Sequence, residues 1–456
     1  MGLTESVCRL LDGISDDRLT EETRAAARRL VADGLAIAIA GTTEPAIGIL
    51  TAHAREQGSA PVCTALGQGF RLGPVAAAQL NGAAMHVLDY EPMWSPATHA
   101  LSTTLPAILA LAERDEVSGK DVLTALVKGI EIQGWLREAS GVYEARNHAF
   151  HPPGVVGPLG AAVAAGHLLR LDPEKMAHAI GIAASRAGSL LANAGTMTKS
   201  THCGNACAAG LDAALLAARG FTAEPTILES PRGFGVAFSH DGFRGEQLER
   251  IGPPYRIVVP GYALKMFPSQ YGTHFGITAA LELRRRIGAP ARIRAITLTA
   301  PDMPYVNRPM PETGLAGKFS LQYTVAAALL DGAVTIRSFT DARARAADIR
   351  ALLGKIALVT DPEIPARFER MHVRLDIVLD DGTRVSTCCD GPRGHWSAAP
   401  VPPADHRAKL EDCLATKMPA DAAALLLDQA AAIETLDPAG VRALIAGAGL
   451  FTETRP

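Results

Sequence analysis

The sequence predicts a mainly α protein in which a large all-helical domain, formed by the N-terminal and C-terminal segments, is interrupted by a smaller α+β domain. Three observations predict this plan. Apolar residues recur at helical spacing from about residue 20 to 225, strand-like segments are confined to residues 293–388, and the helical Ala/Leu pattern returns after residue 405. We place the helical domain at 1–264, the α+β domain at 265–397 and the C-terminal helices at 398–456.

The helical segments are rich in Ala, Leu and Gly, for example over residues 107–112 and 161–169. Two helix starts are marked by capping signals. Ser118 precedes an apolar run, and Asp172 is followed by Pro173, the order expected of an N-cap residue before the first helical position. These signals predict short to medium helices that pack closely on small side chains and are joined by Gly/Pro loops.

The α+β domain begins with a helix predicted over residues 274–286. Strands are predicted at residues 293–299, 356–360 and 373–388. The last of these alternates strictly between apolar and polar residues before an Asp-Gly turn, which is the pattern of a β-hairpin. The sequence shows no internal repeat and no heptad pattern, so neither a solenoid nor a coiled coil is expected.

Composition excludes several function classes. The 456 residues include 20% charged and 48% hydrophobic side chains, and the formal net charge is −3. This balance is ordinary for a globular protein and offers no broad positive field for nucleic acid or anionic lipid. Residues 1–14 mix Glu5, Arg9 and Asp12 with apolar residues, unlike a signal peptide. No stretch approaches the ~18 uncharged apolar residues that a membrane span needs. We therefore expect a cytoplasmic protein.

The seven cysteines are scattered and odd in number, which argues against a disulfide framework in a chain of this kind. Cys203 and Cys207 have C-x3-C spacing with His202 beside them, a pattern that raises the question of zinc. No second Cys or His pair follows at zinc-finger spacing. We expect these cysteines to pack among small residues, and we expect no metal site.

Two polar segments of the N-terminal half are candidates for chemistry. Asp89 and His99 stand ten residues apart in a Pro-broken stretch, where they could act as an orienting group and a base, or could cap the neighbouring helices. Arg146 and His151 belong to a loop with two prolines that precedes a helix. That loop is interpreted either as an anion site at a helix start or as an ordinary solvated loop.

Two further segments add cationic and aromatic groups. Lys199 lies among small hydroxyl-bearing residues, where it could pair with a substrate carboxylate or simply be solvated. Lys265, Gln270 and His274 follow the composition shift near residue 254, so they would reach a cleft from the second domain. Tyr323 lies in an apolar helix, where a core position with a satisfied hydroxyl is the alternative to a catalytic role.

Taken together and in order, these segments resemble the MmgE/PrpD family of dehydratases, decarboxylases and epimerases of small carboxylates. The resemblance spans nearly the whole chain and rests on NGAAMHVLDY (81–90), PATHA (96–100), FHPPGVVGPLGAA (150–162), GTMTKSTHCGNA (195–206), KMFPSQYGTH (265–274) and KFSLQYTVAAALLDG (318–332). It implies that the α+β domain is a lid, that the protein is a homodimer, and that catalysis needs no metal or organic cofactor.

The resemblance also implies a set of site residues. The catalytic candidates are Asp89, His99, His151, Lys199 and Tyr323, and the candidate substrate-binding residues are Lys265, Gln270, Arg146 and His274. Two positions depart from the decarboxylase pattern. Met93 stands where the decarboxylase has Thr, and Gln270 stands where it has a His, so an amide that does not titrate replaces an acid–base group.

The expected function is a cofactor-free lyase of a small di- or tricarboxylate, which dehydrates a 2-methylcitrate-like acid or decarboxylates a cis-aconitate-like acid. Lysines would stabilise the carbanion formed next to a carboxylate. A histidine would move the proton, because its ordinary pKa lies near neutral pH. An isomerase that exchanges an α proton is the alternative, and a non-catalytic polycarboxylate-binding protein is the second alternative.

Overall fold

A computed structural model describes residues 2–142, 149–240, 242–288 and 292–450. The N-terminal half is mostly helical, with two short hairpin strands. Its elements are α1 (Leu3–Asp12), α2 (Glu21–Gly41), α3 (Pro45–Gln57), β1 (Cys63–Ala65), β2 (Phe70–Leu72), α4 (Pro74–Val87), β3 (Met93–Trp94), α5 (Leu105–Arg114), α6 (Gly119–Ser140), α7 (Pro152–Leu168), α8 (Pro173–Ala184), α9 (Thr198–Ala218) and α10 (Phe234–Phe238).

The rest of the described chain mixes strands and helices and then ends in helices. Its elements are β4 (Tyr262–Ala263), α11 (Thr273–Ile287), β5 (Ile293–Ala300), α12 (Gly314–Gly317), α13 (Leu321–Asp331), α14 (Asp341–Ala344), α15 (Ala347–Leu353), β6 (Ile356–Thr360), β7 (Val373–Leu379), β8 (Arg384–Cys389), α16 (Pro403–Leu414), α17 (Ala420–Ala431) and α18 (Pro438–Gly447). The structure is therefore mostly α, as predicted.

Buried apolar residues form two clusters. The first joins helices α1 to α9 with α16, α17 and α18, so that both ends of the described chain share one core. The second gathers α11, α13 and α15 with strands β5 and β7. The strand pair β3–β4 lies where the two meet, with Met93 opposite Ala263 and Trp94 opposite Tyr262.

Small residues let the helices around the first core approach closely. A Cβ atom added to Gly204 of α9 would lie 2.2 Å from the Gln79 carbonyl oxygen of α4, and one added to Gly210 would lie 2.2 Å from the Pro158 oxygen of α7. Any larger residue would push these helices apart. The Gly- and Ala-rich composition therefore places the start of α9, which carries Lys199, against the end of α4.

The second core is built on a four-stranded sheet with the order β6-β5-β7-β8. The pair β5–β6 is parallel and the other two pairs are antiparallel. Alternate residues of β7 are buried, which confirms the predicted alternation. The hairpin β7–β8 is also confirmed. The two- and three-residue strands β1 to β4 were not predicted, because segments so short show no periodicity.

Helix capping follows the sequence signals. Ser118 Oγ accepts a hydrogen bond from the Asp121 N–H, and the Asp121 carboxylate accepts from the Ser118 N–H, which completes a capping box. Asp172 Oδ1 accepts from the Lys175 N–H at 2.8 Å. Both N-cap predictions are confirmed, and they set the starts of α6 and α8.

The helices differ from membrane spans in length and hydropathy. Over the described part of the chain, no single helix is long and apolar enough to cross a membrane. The helices α2 and α3 meet the length and composition criteria only together, and they are bent by 86° at the break between them.

Each of the seven cysteines is free, and all but Cys388 are buried.

A buried ion network ties the C-terminal helices to the first helices. Asp33 of α2 is fully buried, and its Oδ1 accepts hydrogen bonds from His406 Nε2 and Lys409 Nζ of α16, each at 2.8 Å. Lys409 Nζ also donates to the Tyr90 carbonyl oxygen at 3.2 Å. The contact between the two ends of the chain therefore reaches the segment that carries Asp89.

We expect Asp33→Asn to lower the free energy of unfolding by ~3–5 kcal/mol, because the Lys409 ammonium would remain buried without its counter-charge. Urea unfolding would measure the change. The control is Asp428→Asn, which removes an exposed partner of Arg407 between α17 and α16 and should cost no more than ~1 kcal/mol. Equal effects of the two substitutions would contradict this role for Asp33.

Candidate active site

The predicted polar segments meet at a cavity between the two cores. Side chains of the helical part line one side of it and side chains of the α+β part line the other. The lining residues include Asp89, His99, His151 and Lys199 on the first side, and Lys265, Gln270, Tyr305, Phe319 and Phe368 on the second. Residues separated by more than 200 positions in sequence thus line the same cavity.

Asp89 lies between two buried lysines. It follows the end of α4 with a left-handed backbone (φ 51°), an uncommon conformation for a non-glycine residue. Its Oδ2 accepts from Lys199 Nζ at 2.8 Å, its Oδ1 pairs with Lys265 Nζ, and its carbonyl oxygen accepts from Lys265 Nζ at 2.9 Å. Burial opposes ionisation, but the two ammonium groups outweigh it and hold the pKa of Asp89 well below its ordinary value.

Four histidines cluster beside these lysines. The ring centroids of His86 and His99 are 4.6 Å apart, those of His99 and His151 are 5.9 Å apart, and those of His151 and His202 are 5.2 Å apart. Burial, aided by the positive charge of Lys199, lowers the pKa of all four rings. The imidazoles are therefore neutral at neutral pH and available as proton acceptors.

The tautomer of His86 follows from its neighbours. Lys199 Nζ lies 2.9 Å from His86 Nε2, and an ammonium group can only donate, so Nε2 is the acceptor. The ring proton must then be on Nδ1, which is hydrogen-bonded to Glu91 Oε1. One lysine, one histidine and one carboxyl group thus form a continuous chain behind the cavity.

Glu91 is fully buried and was not singled out from the sequence. Its Oε2 accepts from the Ser102 N–H at 3.0 Å, and its Oε1 lies 3.2 Å from His99 Nδ1, although the angle there is outside hydrogen-bond geometry. Burial raises the pKa of Glu91 to about 8, against the opposing effects of Ser102 and Lys265. A Glu five residues after a His does not by itself indicate contact, so only the turn after α4 brings the two together.

The structure brings six of the predicted site residues together at the cavity: Asp89, His99, His151, Lys199, Lys265 and Gln270. Gln270 Nε2 donates to the Tyr305 hydroxyl at 3.4 Å, and its Oε1 accepts from the Gly272 N–H at 2.7 Å. Arg146, a further predicted binding residue, lies outside the described residues. The remaining two predictions, Tyr323 and His274, lie away from the cavity.

Tyr323 is buried in α13, where its hydroxyl donates to the Ser338 carbonyl oxygen. His274 is buried behind the cavity in α11, with Nε2 3.3 Å from the Ser269 carbonyl oxygen and its ring against Phe267. Neither side chain lines the cavity. The core interpretation of Tyr323 matches this position, because its hydroxyl is satisfied by the backbone and is not part of the cavity lining.

Tyr305 is a cavity residue that was not predicted from the sequence. It lies in a short 3-10 helix (Pro304–Val306) after β5, and its hydroxyl accepts from Gln270 Nε2 at the cavity that Phe319 also lines. Burial raises the pKa of Tyr305, so the phenol stays protonated and can donate a hydrogen bond. The available signal was a Pro-flanked polar segment directly after a strand, a common location for functional side chains.

Two groups of described side chains have ligand atoms close enough to share a metal ion: His86, His99 and His151 in one, and His86, Glu91 and Cys203 in the other. The ammonium of Lys199 already occupies His86 Nε2, and Lys265 adds a second positive charge. Repulsion from these charges opposes a divalent cation at this position. The absence of a metal from the reaction therefore stays a prediction, to be tested with chelators.

Two family models together match most of the chain, which belongs to the MmgE/PrpD family. The MmgE/PrpD N-terminal domain matches residues 5–246, and the MmgE/PrpD C-terminal domain matches residues 267–434. Among its relatives, cis-aconitate decarboxylase of Mus musculus is 35% identical over 86% of this chain and 83% of its own length.

Two other relatives show the spread of the family. Cis-aconitate decarboxylase of Homo sapiens is 34% identical, over 86% of this chain and 84% of its own length. A 2-methylcitrate dehydratase of Escherichia coli strain K12 is 28% identical, over 72% of this chain and 73% of its own length. The predicted family resemblance is thus confirmed.

We expect the contribution of Glu91 to the stability of the protein to fall as pH rises from about 5 to 8, because Glu91 keeps its proton in the folded state (pKa about 8) and loses it in the unfolded state. One such proton contributes a slope of at most about 1.4 kcal/mol per pH unit. Glu91→Gln should flatten this dependence. Urea unfolding of both proteins at several pH values would measure it, and parallel curves would contradict the raised pKa.

Proposed function

We propose that the chain is a cofactor-independent lyase of a small di- or tricarboxylate, with decarboxylation of a cis-aconitate-like acid as the first reaction to test. The observation that carries this proposal is the pair of buried lysines bridged by Asp89 at a cavity lined by neutral histidines. Its support from comparison is the 35% identity to a cis-aconitate decarboxylase.

The lysines suit the binding of an anionic substrate. Asp89 balances only one of the two positive charges, so Lys199 and Lys265 together with Asp89 leave a net positive charge at the cavity. When a carboxylate leaves as CO2, the electron pair of the broken C–C bond spreads into a neighbouring carboxylate. Fixed cations in a water-poor site stabilise that charge more strongly than they would in water.

The histidines suit the proton transfer. His99 and His151 both line the cavity, so either ring could exchange a proton with a substrate bound there. Gln270 cannot take this role because an amide does not titrate, but its link to Tyr305 holds the phenol at the cavity. We assign to Tyr305, in place of Tyr323, the hydrogen bond to the developing enediolate.

The finer architecture is part of the same proposal. We propose that residues 265–397 act as a lid over a helical domain of residues 1–264 and 398–456, and that the protein is a cytoplasmic homodimer. In support of the lid, Lys265, Gln270 and Tyr305 meet the helical side chains across the cavity. The homodimer and the location rest on the family resemblance and on the sequence.

The alternative function is an isomerase that removes and returns an α proton. His99 and His151 favour it, because two neutral rings 5.9 Å apart at one cavity could act as a base and an acid. A non-catalytic homologue that binds polycarboxylates is the remaining alternative. The lyase and the isomerase give different products and the non-catalytic homologue gives none, so one experiment distinguishes the three functions.

The purified, chelator-treated protein would be incubated in deuterated water with cis-aconitate, citrate, 2-methylcitrate and a set of chiral aminodicarboxylates, and followed by proton NMR. A decarboxylated or new vinyl product supports the lyase. Deuterium at the α carbon without a change of skeleton would replace the lyase with the isomerase. Saturable binding without any product would support the non-catalytic homologue.

We expect Lys199→Ala and His151→Ala each to lower turnover by at least ~100-fold, the lower end of the contribution of one acid–base group. Lys199→Ala removes a charge that pairs with Asp89, and His151→Ala removes an imidazole of the cavity. Steady-state kinetics on the substrate found by NMR would measure both. Lys120→Ala, at an exposed lysine, is the control. Near-normal turnover of both site variants would remove this assignment.

The two tyrosines provide a matched comparison. Tyr305→Phe should lower turnover by ~100-fold, because it removes a hydrogen-bond donor at the cavity. Tyr323→Phe should leave turnover nearly unchanged and lower the free energy of unfolding by about 1 kcal/mol, because its hydroxyl bonds only to the Ser338 carbonyl oxygen. Kinetics and urea unfolding of both variants would test this, and the reverse pattern would restore the catalytic role of Tyr323.

A further inference from the structure

A second cavity lies on the other side of Lys199 and Phe319 from the first. Its walls include His86 and Asp89 of the helical part, and Arg337 of the α+β part. Lys199 and Asp89 line both cavities, whereas His86 lines only the second and His99 only the first. Among the described residues, Asp89, Lys199 and Phe319 line both spaces, and Lys199 is joined through His86 to Glu91.

Glu91 is the member of this chain that lines neither cavity. It is fully buried, and its Oε1 contacts His86 Nδ1 on one side while lying 3.2 Å from His99 Nδ1 on the other. The Nδ1 atom of His99 has no hydrogen-bond partner among the described residues. His99 Nδ1 is thus a free acceptor next to a carboxyl oxygen. A small turn of the His99 ring would let Glu91 donate a proton to it.

The protons of the three side chains have one consistent arrangement. His86 donates from Nδ1 to Glu91 Oε1, because Lys199 occupies Nε2. If Glu91 is a carboxylic acid, Oε1 accepts from His86, and its own proton reaches His99 Nδ1 once the His99 ring turns into hydrogen-bond geometry. The proton of neutral His99 is then on Nε2, the nitrogen left for a molecule in the first cavity.

We propose that Glu91 is a proton reservoir that supplies His99 and is recharged from the second cavity through His86. This role rests on the proposed lyase function and deepens it. Glu91 is a positioning and relay residue, because it acts through His99 and lines neither cavity. The reservoir would serve a reaction that must deliver a proton to carbon in a site closed to water.

The pKa shifts of the four histidines and of Glu91 support this assignment. Burial lowers the pKa of His86, His99, His151 and His202, so none of these rings holds a spare proton at neutral pH. The same burial raises the pKa of Glu91 to about 8. Of these five side chains, only Glu91 carries at neutral pH a proton that it could give away.

Protons and electrons balance over one turnover. The C–C bond to the departing carboxylate breaks, CO2 leaves, and the electron pair stays on the carbon. His99 gives its Nε2 proton to that carbon and receives the Glu91 proton on Nδ1. Glu91 becomes a carboxylate and takes the Nδ1 proton of His86, His86 takes a proton from Lys199 on Nε2, and water in the second cavity returns a proton to Lys199. After the product leaves, His99 returns to its Nε2–H tautomer by proton exchange with water in the first cavity, which leaves the number of protons unchanged. Each turnover thus takes up one proton from solvent.

Several charged or titratable groups face Glu91, and they influence the pH at which it loses its proton. They come from α4, from the segment after it, from α9 and from the segment after β4: His86, Asp89, His99, Lys199, Cys203 and Lys265. Asp89 favours the protonated form of Glu91, and the two lysines favour the carboxylate. Each of these groups stays in place when Glu91 alone is replaced.

The kinetic test uses Glu91→Gln in the full chain with the substrate found by NMR. We expect kcat to fall ~100-fold with KM little changed, because the amide cannot release a proton. In the unaltered protein kcat should fall as pH rises past about 8, where the reservoir empties, and Glu91→Gln should lose this limb. Glu91→Asp, which keeps an acid, should retain the limb and part of the rate. Unaltered rate and pH profile in Glu91→Gln would overturn the proposal.

An infrared test does not depend on any reaction. The difference spectrum between the unaltered protein and Glu91→Gln should show the C=O stretch of a buried carboxylic acid at neutral pH, which disappears above about pH 8. A spectrum with no such band would overturn the reservoir. If the band is present but no polycarboxylate is turned over, the proposed lyase fails and the protonated state of Glu91 stands.

Two controls keep these outcomes distinct. Glu131 of α6 is a second buried carboxyl group away from the cavities, and burial raises its pKa to about 7. Glu131→Gln should remove a different infrared band and leave the rate–pH profile unchanged. If Glu91→Gln fails to fold, kcat is measured against pH in the unaltered protein and in Glu91→Asp, which both retain a carboxylic acid. Absence of the fall in kcat at high pH from both proteins would then overturn the proposal.

Discussion

The carboxylate of Asp89 bridges the ammonium groups of Lys199 and Lys265, and the candidate site depends on this contact. The two lysines come from opposite sides of the cavity, one at the start of α9 and one just after β4. Without the carboxylate between them, two buried positive charges would repel one another and disfavour the folded arrangement. The left-handed backbone at Asp89 is part of this geometry, because it turns the chain after α4 so that the carboxylate meets both lysines.

The second constraint is burial, which acts in opposite directions on the two kinds of titratable group. It lowers the pKa of the imidazoles and raises that of Glu91, because in both cases a low-dielectric interior disfavours the charged form. The result is a set of proton acceptors next to a proton donor at neutral pH. One physical effect thus places proton acceptors and a proton donor side by side.

The packing of the helices makes this burial possible. Glycines on α9 allow it to lie against α4 and α7, and Asp33 with Lys409 ties α16 to the segment that carries Asp89. The site is therefore supported by contacts far along the chain from the residues that form it.

The sequence by itself determined the mainly α class, the hairpin β7–β8, two helix caps and most of the cavity residues, because each of these has a local signal: a period, a capping pair or a motif. It did not determine which side chains meet. Glu91, His86 and Tyr305 carry no local sequence signal that marks them as site residues. Tyr323 belongs to a motif of the family resemblance, but its side chain does not line the cavity. Contact, burial and the resulting pKa values depend on how distant segments pack, and only the tertiary structure decided them.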